Sequence, residues 1–173
     1  MSNFAGRTIH GIPRLALRHA ENPVLAIGGV VESPQALRPE DLLSLPRHSW
    51  LGSVSCLERG PIPDTDWTGM RLSDLIALAT PHASARYALV SAGPYGVAVP
   101  IDEADEVLIC DQLSGHPLDV TEGGPWRLVV PNRRYYTSVK WIDRIELTVD
   151  ADRESAERIG LARQRAREAK RGA

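Results

Sequence analysis

The feature that most constrains this chain is its division into short apolar runs. VLAIGG, SWLGSVSC, RYALVSA, YGVAVPI, VLIC, WRLVVP and WIDRIELTV are each closed quickly by glycine, proline or a polar turn. Runs of that length suit strands better than long helices, and the 14 glycines and 13 prolines supply the breaks between them. Many short strands with a few short helices predict a β-rich α+β domain.

Local signals fill in the pattern. PEDLLSLP reads as a short helix, with Pro39 at its first position, Glu40 and Asp41 near its positive end, and Leu42, Leu43 and Leu45 on its buried side. In WLGSVSC, Trp50, Val54 and Cys56 fall on one face of a strand. ERGPIPDTDWTG reads as a loop, and LSDLIALAT as a helix capped by Ser73 and stopped by Pro81. RYALVSAGPYGVAVPI predicts a hairpin turning at Gly-Pro-Tyr-Gly, and VLICDQLSGHPL a strand running into a turn. WRLVVP and SVKWIDRIELTV predict the last two strands. Residues 151–173 predict a charged helical tail with a weak stripe of Ile159, Ala162 and Ala166.

At 173 residues the chain accommodates one domain with an extension, here divided as 1–150 and 151–173. The formal net charge of −2 implies no polyanionic partner, so no nucleic acid is expected. It hides an asymmetry: residues 151–173 carry seven Lys/Arg against four Asp/Glu, and residues 1–150 carry 13 against 18. A basic tail therefore follows an acidic body. No apolar run reaches the roughly 18 residues of a membrane span. MSNFAGRTIHG lacks a basic stretch followed by an apolar one, so a cytoplasmic location is expected, or a periplasmic one if a leader has been removed.

Two cysteines make no disulfide framework, and five scattered histidines with no CxxC pair make no local zinc site. Cys110, mid-strand with Leu108 and Ile109 beside it, reads as a core residue. Cys56 admits three readings: a small core residue, half of a disulfide, or a thiolate that attacks or binds metal. It closes a strand before a polar loop holding Glu58 and Arg59, and a guanidinium nearby would favour the thiolate. A second cluster lies in GGPWRLVVPNRRYYTSVKWI, where Arg127, Arg133, Arg134 and Lys140 alternate with glycine, aromatics and Ser138. Cations, hydroxyls and loop amides together are what an anionic phosphate requires.

Taken in order, these segments resemble the molybdopterin-binding domain of the sulfite oxidase family, whose members include sulfite oxidases, assimilatory nitrate reductases and bacterial methionine-sulfoxide reductases. The resemblance is carried by SVSC, by Trp67-x-Gly69-x-x-Leu72, by the turn Ser114-Gly115-His116-Pro117-Leu118, by Gly123 to Pro131, and by Ser138 to Ile142. It spans residues 23 to 149. It implies a mixed, β-rich sulfite-oxidase-type fold and a molybdenum cofactor of the single-pterin kind. By position Cys56 is then the metal's protein ligand, a soft thiolate suited to such a centre. Arg127 meets the cofactor phosphate, with Ser138, the Val139 backbone, Lys140 and Ser91 as further cofactor contacts. Arg59 and Tyr135, with Tyr136, shape the substrate pocket, and Arg133 or Arg134 are further anion contacts. FAGRTIHGIP resembles the family's Arg-Asn-His segment, which adds Arg7 and His10. The implied reaction is a two-electron oxygen-atom transfer on a small substrate, sulfur-containing compounds among the candidates, with electrons exchanged with a separate haem or flavin partner.

The chain departs from the family at identifiable positions. Where sulfite oxidases place a pocket tyrosine it has Asp111, and where the reductases place an asparagine it has Glu122. The basic tail stands where eukaryotic members carry a dimerisation domain. Two other functions compete with the enzyme. One is a non-catalytic relative that binds the cofactor or a protein, with the tail as docking helix. The other is a thiol-based hydrolase or redox protein using Cys56.

Overall fold

The computed structural model describes residues 8–9, 12–56, 60–131, 133 and 137–171; of residues 8, 9, 55, 56, 60–63 and 171 it describes the backbone. In chain order the elements are β1 (Thr8–Ile9), β2 (Ile12–Pro13), α1 (Arg14–Glu21), β3 (Leu25–Gly29), β4 (Gln35–Leu37), β5 (His48–Cys56) and β6 (Gly60–Arg71). There follow α2 (Leu72–Ala77), β7 (Tyr87–Ala92), β8 (Tyr95–Pro100), β9 (Leu108–Leu113), β10 (His116–Pro117), β11 (Arg127–Val129), β12 (Arg144–Thr148) and α3 (Ala156–Arg171). Two 3-10 helices, Pro39–Leu42 and Ile101–Glu106, complete the framework.

Two five-stranded sheets, the first antiparallel throughout and the second mixed, organise these elements, apart from the small β1–β2 pair. The first runs β10-β9-β6-β5, with β11 also on β9; the second runs β4-β3-β12-β7-β8. In the second, β12 is parallel to β3 and antiparallel to β7. Between the sheets lies one shared core, containing Leu25, Ile27, Val90 and Ile145 of the second sheet, Met70, Ile109 and Leu128 of the first, and Leu72, Leu75 and Ile76 of α2. Strand alternation sends the neighbours of Ile109 and Leu128 the other way. Leu108, Cys110 and Val129 accordingly form a second cluster with Val54, Trp67, Leu113 and Leu118.

The mixed, β-rich architecture with short helices and a C-terminal helix is as expected, but several local expectations are not met. PEDLL forms a 3-10 turn rather than an α-helix, and Leu43 is 82% exposed, because a tight turn buries Leu42 alone of that pair. Ser73 lies inside α2, whose N-cap is Arg71. The hairpin β7–β8 turns on Gly93-Pro94 alone, since Tyr95 already pairs with Ala92. In α3 the buried contacts are Ala156 and Gly160, while Ala162 and Ala166 are exposed.

Two corrections matter for the site. Residues 60–66, expected as loop, are the first half of β6 and pair with β5 alone, since β9 joins only from Trp67. Prolines are tolerated on such an edge, and the register slips beside Pro63, between Gly52 and Val54. SVKWID, expected as strand, is irregular, with Trp141 at φ +60. A left-handed residue cannot continue a strand. These six residues instead cross from one sheet to the other. Leu128 N donates to Val139 O (2.8 Å) and Ile142 N to Trp126 O (3.0 Å) beside the first sheet. Asp143 N donates to Ser91 O (3.1 Å) and Ala26 N to Asp143 O (3.0 Å) in the second.

Candidate functional site

Arg127 is the first residue of β11, opposite Cys110 of β9, and is only 1% exposed. On so short a strand it shares the face of Val129, so its side chain runs over the second cluster. The guanidinium carbon lies 4.9 Å from the centre of the Trp67 ring, a cation–π contact. Its Nε donates to Ser138 Oγ (2.9 Å) and its Nη1 to Glu122 O (2.8 Å). The Ser138 hydroxyl passes the interaction on, donating to Leu128 O at 3.1 Å. Trp67 is fully buried, and its indole Nε1 is a buried donor with no partner among the described residues.

Lys140 approaches the same loop from the crossing segment. Its Nζ donates to Thr121 O (3.0 Å) and lies 5.7 Å from the Trp141 ring. Gly123, at φ +109, makes this packing possible: a Cβ there would stand 2.8 Å from Lys140 Cγ and 3.3 Å from Arg127 Cδ. Both cationic stems lie against a position where only glycine fits.

Val139, between Ser138 and Lys140 in sequence, is buried in the shared core and pairs its carbonyl with β11. Arg127, Ser138, Val139 and Lys140 are thus brought together. Ser91, 7% exposed, lies apart from them in the other sheet, where its carbonyl accepts from Asp143 N at the far end of the crossing segment. Cys56 is the last residue of β5, where its backbone pairs with Gly60. Val54, two residues earlier, belongs to the cluster under Arg127. Arg7, His10, Glu58, Arg59, Arg134, Tyr135 and Tyr136 lie outside the described residues. Arg133 is exposed and donates to Glu103 Oε2 at 2.7 Å, so a carboxylate meets this expected anion contact.

Sequence reasoning missed the partner of Asp111. The register passes from Thr68–Gln112 to Gly69–Cys110, leaving Asp111 as the extra residue of a β-bulge. Its carboxylate takes both terminal nitrogens of Arg47, and Arg47 Nη1 also lies 3.1 Å from Met70 Sδ. The hydrogen bond to Asp111 raises the Arg47 pKa, against the opposing effect of burial. The Cys110 thiol is pushed well above its ordinary range, first by burial and then by the Asp111 carboxylate. It is a neutral core thiol and no candidate ligand. Also missed was the role of Trp67, which the sequence shows only as the start of a spaced motif.

Among the described residues no group of three or more His, Cys, Asp or Glu could hold a metal ion, and no helix is long and apolar enough to cross a membrane. What the described side chains offer is a cationic cradle with one unused buried donor.

Comparison with known proteins agrees with this chemistry. The uncharacterized oxidoreductase YuiH of Bacillus subtilis is 28% identical over 127 residues, which cover 72% of this chain and 64% of that protein. Sulfite oxidase of Arabidopsis thaliana is 24% identical over 179 residues, covering 82% of this chain and 45% of the relative. Among solved structures, the sulfane dehydrogenase SoxCD from Paracoccus pantotrophus superposes with a TM-score of 0.70 at 26% identity, over 76% of this chain and 39% of that one. The chain therefore spans less than two thirds of each of these proteins. The profile of the oxidoreductase molybdopterin binding domain matches residues 11–156, and the chain belongs to that family.

Proposed function

We propose that this chain is a molybdenum-cofactor-dependent oxidoreductase that performs two-electron oxygen-atom transfer on a small molecule. Residues 1–150 are the catalytic domain and 151–173 an extension. The observation that carries the reading is the cradle of Arg127, Ser138 and Lys140 against Gly123, with Trp67 Nε1, a buried donor that has no partner among the described residues, beside it. A buried guanidinium, a half-buried ammonium, a hydroxyl and an indole N–H form a set that fits an anionic, hydrogen-bonding pterin.

In this reading Arg127, Ser138, the Val139 backbone and Lys140 hold the pterin's anionic end, Ser91 supports them, and Cys56 supplies the one protein thiolate to the metal. The cofactor when bound supplies the two-electron redox chemistry, and the protein supplies orientation, charge and access. Arg59 and Tyr135 shape the substrate pocket, and a separate haem or flavin protein exchanges electrons with the centre. Asp111 is a carboxylate held by Arg47, an acceptor where sulfite oxidases place a phenol that can donate. A sulfite substrate therefore has no support from that position, and the substrate class stays at small molecules.

Metal and pterin analysis of protein made in a host that synthesises the cofactor tests the reading. Stoichiometric molybdenum and pterin in the wild type, with the metal lost in Cys56→Ser, is the expected result. Wild-type protein containing neither would end it.

A further inference from the structure

The loop between β10 and β11 shows an ordered pattern of acceptors. Four consecutive carbonyls, Val120 to Gly123, each receive a donor from the cradle. Val120 O accepts from Trp141 Nε1 (2.6 Å), Thr121 O from Lys140 Nζ (3.0 Å), Glu122 O from Arg127 Nη1 (2.8 Å) and Gly123 O from Trp141 N (2.9 Å). Trp141 thus takes the two outer carbonyls and the two cations take the inner pair.

Both sides of this contact are held. In the loop, Asp119 Oδ1 accepts from Thr121 N (2.6 Å) and Glu122 N (3.1 Å), while Glu122 Oε2 accepts from Asp119 N (3.0 Å). Gly124 N closes it on Asp119 O at 2.8 Å. On the other side, Trp141 sits at φ +60, a conformation unfavourable for a bulky residue and kept only where the surroundings fix it. The next residue is tied down twice: Ile142 N donates to Trp126 O (3.0 Å), and Ile142 O accepts from His19 Nε2 (2.9 Å).

We propose that Trp141 is a positioning residue: by gripping both ends of the 120–123 carbonyl run, it fixes where Lys140 and Arg127 direct their charges. The inference rests on the reading that these two cations hold the cofactor's anionic end. Trp141 itself touches the loop and not the reacting atoms. A rigid template directs a cation better than a free side chain, which must be ordered each time the ligand binds.

Trp141→Phe keeps an aromatic ring and the backbone donor but removes the indole N–H together with part of the ring surface that faces Lys140 Nζ. Pterin release from the loaded protein is followed by the fluorescence of the oxidised pterin, and hydrogen exchange reads the amides of Thr121 and Glu122. Ile76→Val, a buried change in α2 away from the cradle, measures how much release follows from lost stability alone. One lost hydrogen bond of ordinary strength predicts release roughly three- to tenfold faster in Trp141→Phe, with faster exchange at both amides. Ile76→Val should release at the wild-type rate. Where Trp141→Phe does not fold, Asp119→Ala loosens the same loop from its other end and is judged by pterin release alone, because its carboxylate is itself the acceptor of both amides. Wild-type release from the variant used overturns the inference and leaves the cofactor reading standing. Wild-type protein that holds no pterin overturns both.

Discussion

Arg127 and Cys110 face each other in the register of β11 and β9, yet one is charged and the other is not. The guanidinium stays charged at any physiological pH, and at 1% exposure it must replace water with protein groups. Ser138 Oγ, Glu122 O and the Trp67 ring do this. The thiol takes the opposite course, because burial favours its neutral form and lifts its pKa. The sign of the pH effect follows. In the unfolded chain a cysteine ionises near pH ~8.5. Above that pH the unfolded state releases a proton that the native Cys110 keeps, so stability present at neutral pH falls as pH rises, by up to roughly 1.4 kcal/mol per unit. Denaturant titrations of wild type and Cys110→Ala between pH 7 and ~10 should therefore converge as pH increases. Parallel profiles would show that the buried thiol ionises as readily as a free one.

At the level of elements, legibility depended on whether a segment's partners were local. β7, β8 and β9 were readable because their apolar runs and turns are self-contained; Ser114 and Gly115 even adopt the paired positive φ of a tight hairpin turn. SVKWID was misread as strand because its conformation is set by Trp126, Ser91 and Ala26, all distant in sequence. GPIPDTD was misread as loop because edge pairing with β5 tolerates prolines that usually break strands. The candidate site divides the same way. Arg127, Ser138 and Lys140 could be named from a motif, whereas the Arg47–Asp111 pair depends on a bulge that only sheet register creates. The tail helix was visible in composition, but its anchor was not. Ser155, immediately before α3, accepts from Gly96 N (3.0 Å) and donates to Pro94 O (2.6 Å) through its hydroxyl, and its own N–H bonds Gly96 O. Ser155→Ala leaves two β-hairpin groups unpaired at a buried position. It should cost about 1–3 kcal/mol and raise hydrogen exchange along α3, measured against wild type. Unchanged exchange in α3 would show that the helix is held by other contacts.

For the whole molecule, the two sheets are joined both by their shared core and by the crossing segment at residues 138–143. Val139 and Ile142 are buried in that core, and their backbones bond to β11 and to Trp126. Asp143 then bonds to β7 and β3. The same segment carries Ser138 and Lys140, so the cradle is built at the joint of the molecule rather than on a peripheral loop. Its geometry should persist as long as the sheets remain packed together, which predicts one cooperative transition for both. Trp67 and Trp126 report on the first sheet and its edge, while far-ultraviolet circular dichroism reports on both sheets and the helices. The two signals should give coincident midpoints. Ile142→Ala removes a fully buried side chain from the joint and should cost about 2–5 kcal/mol. Because Ile142 contacts the core common to both sheets, fluorescence and circular dichroism should shift together in the variant. Separate midpoints would mean that the sheets fold independently, and that the joint positions the cradle without coupling the two halves.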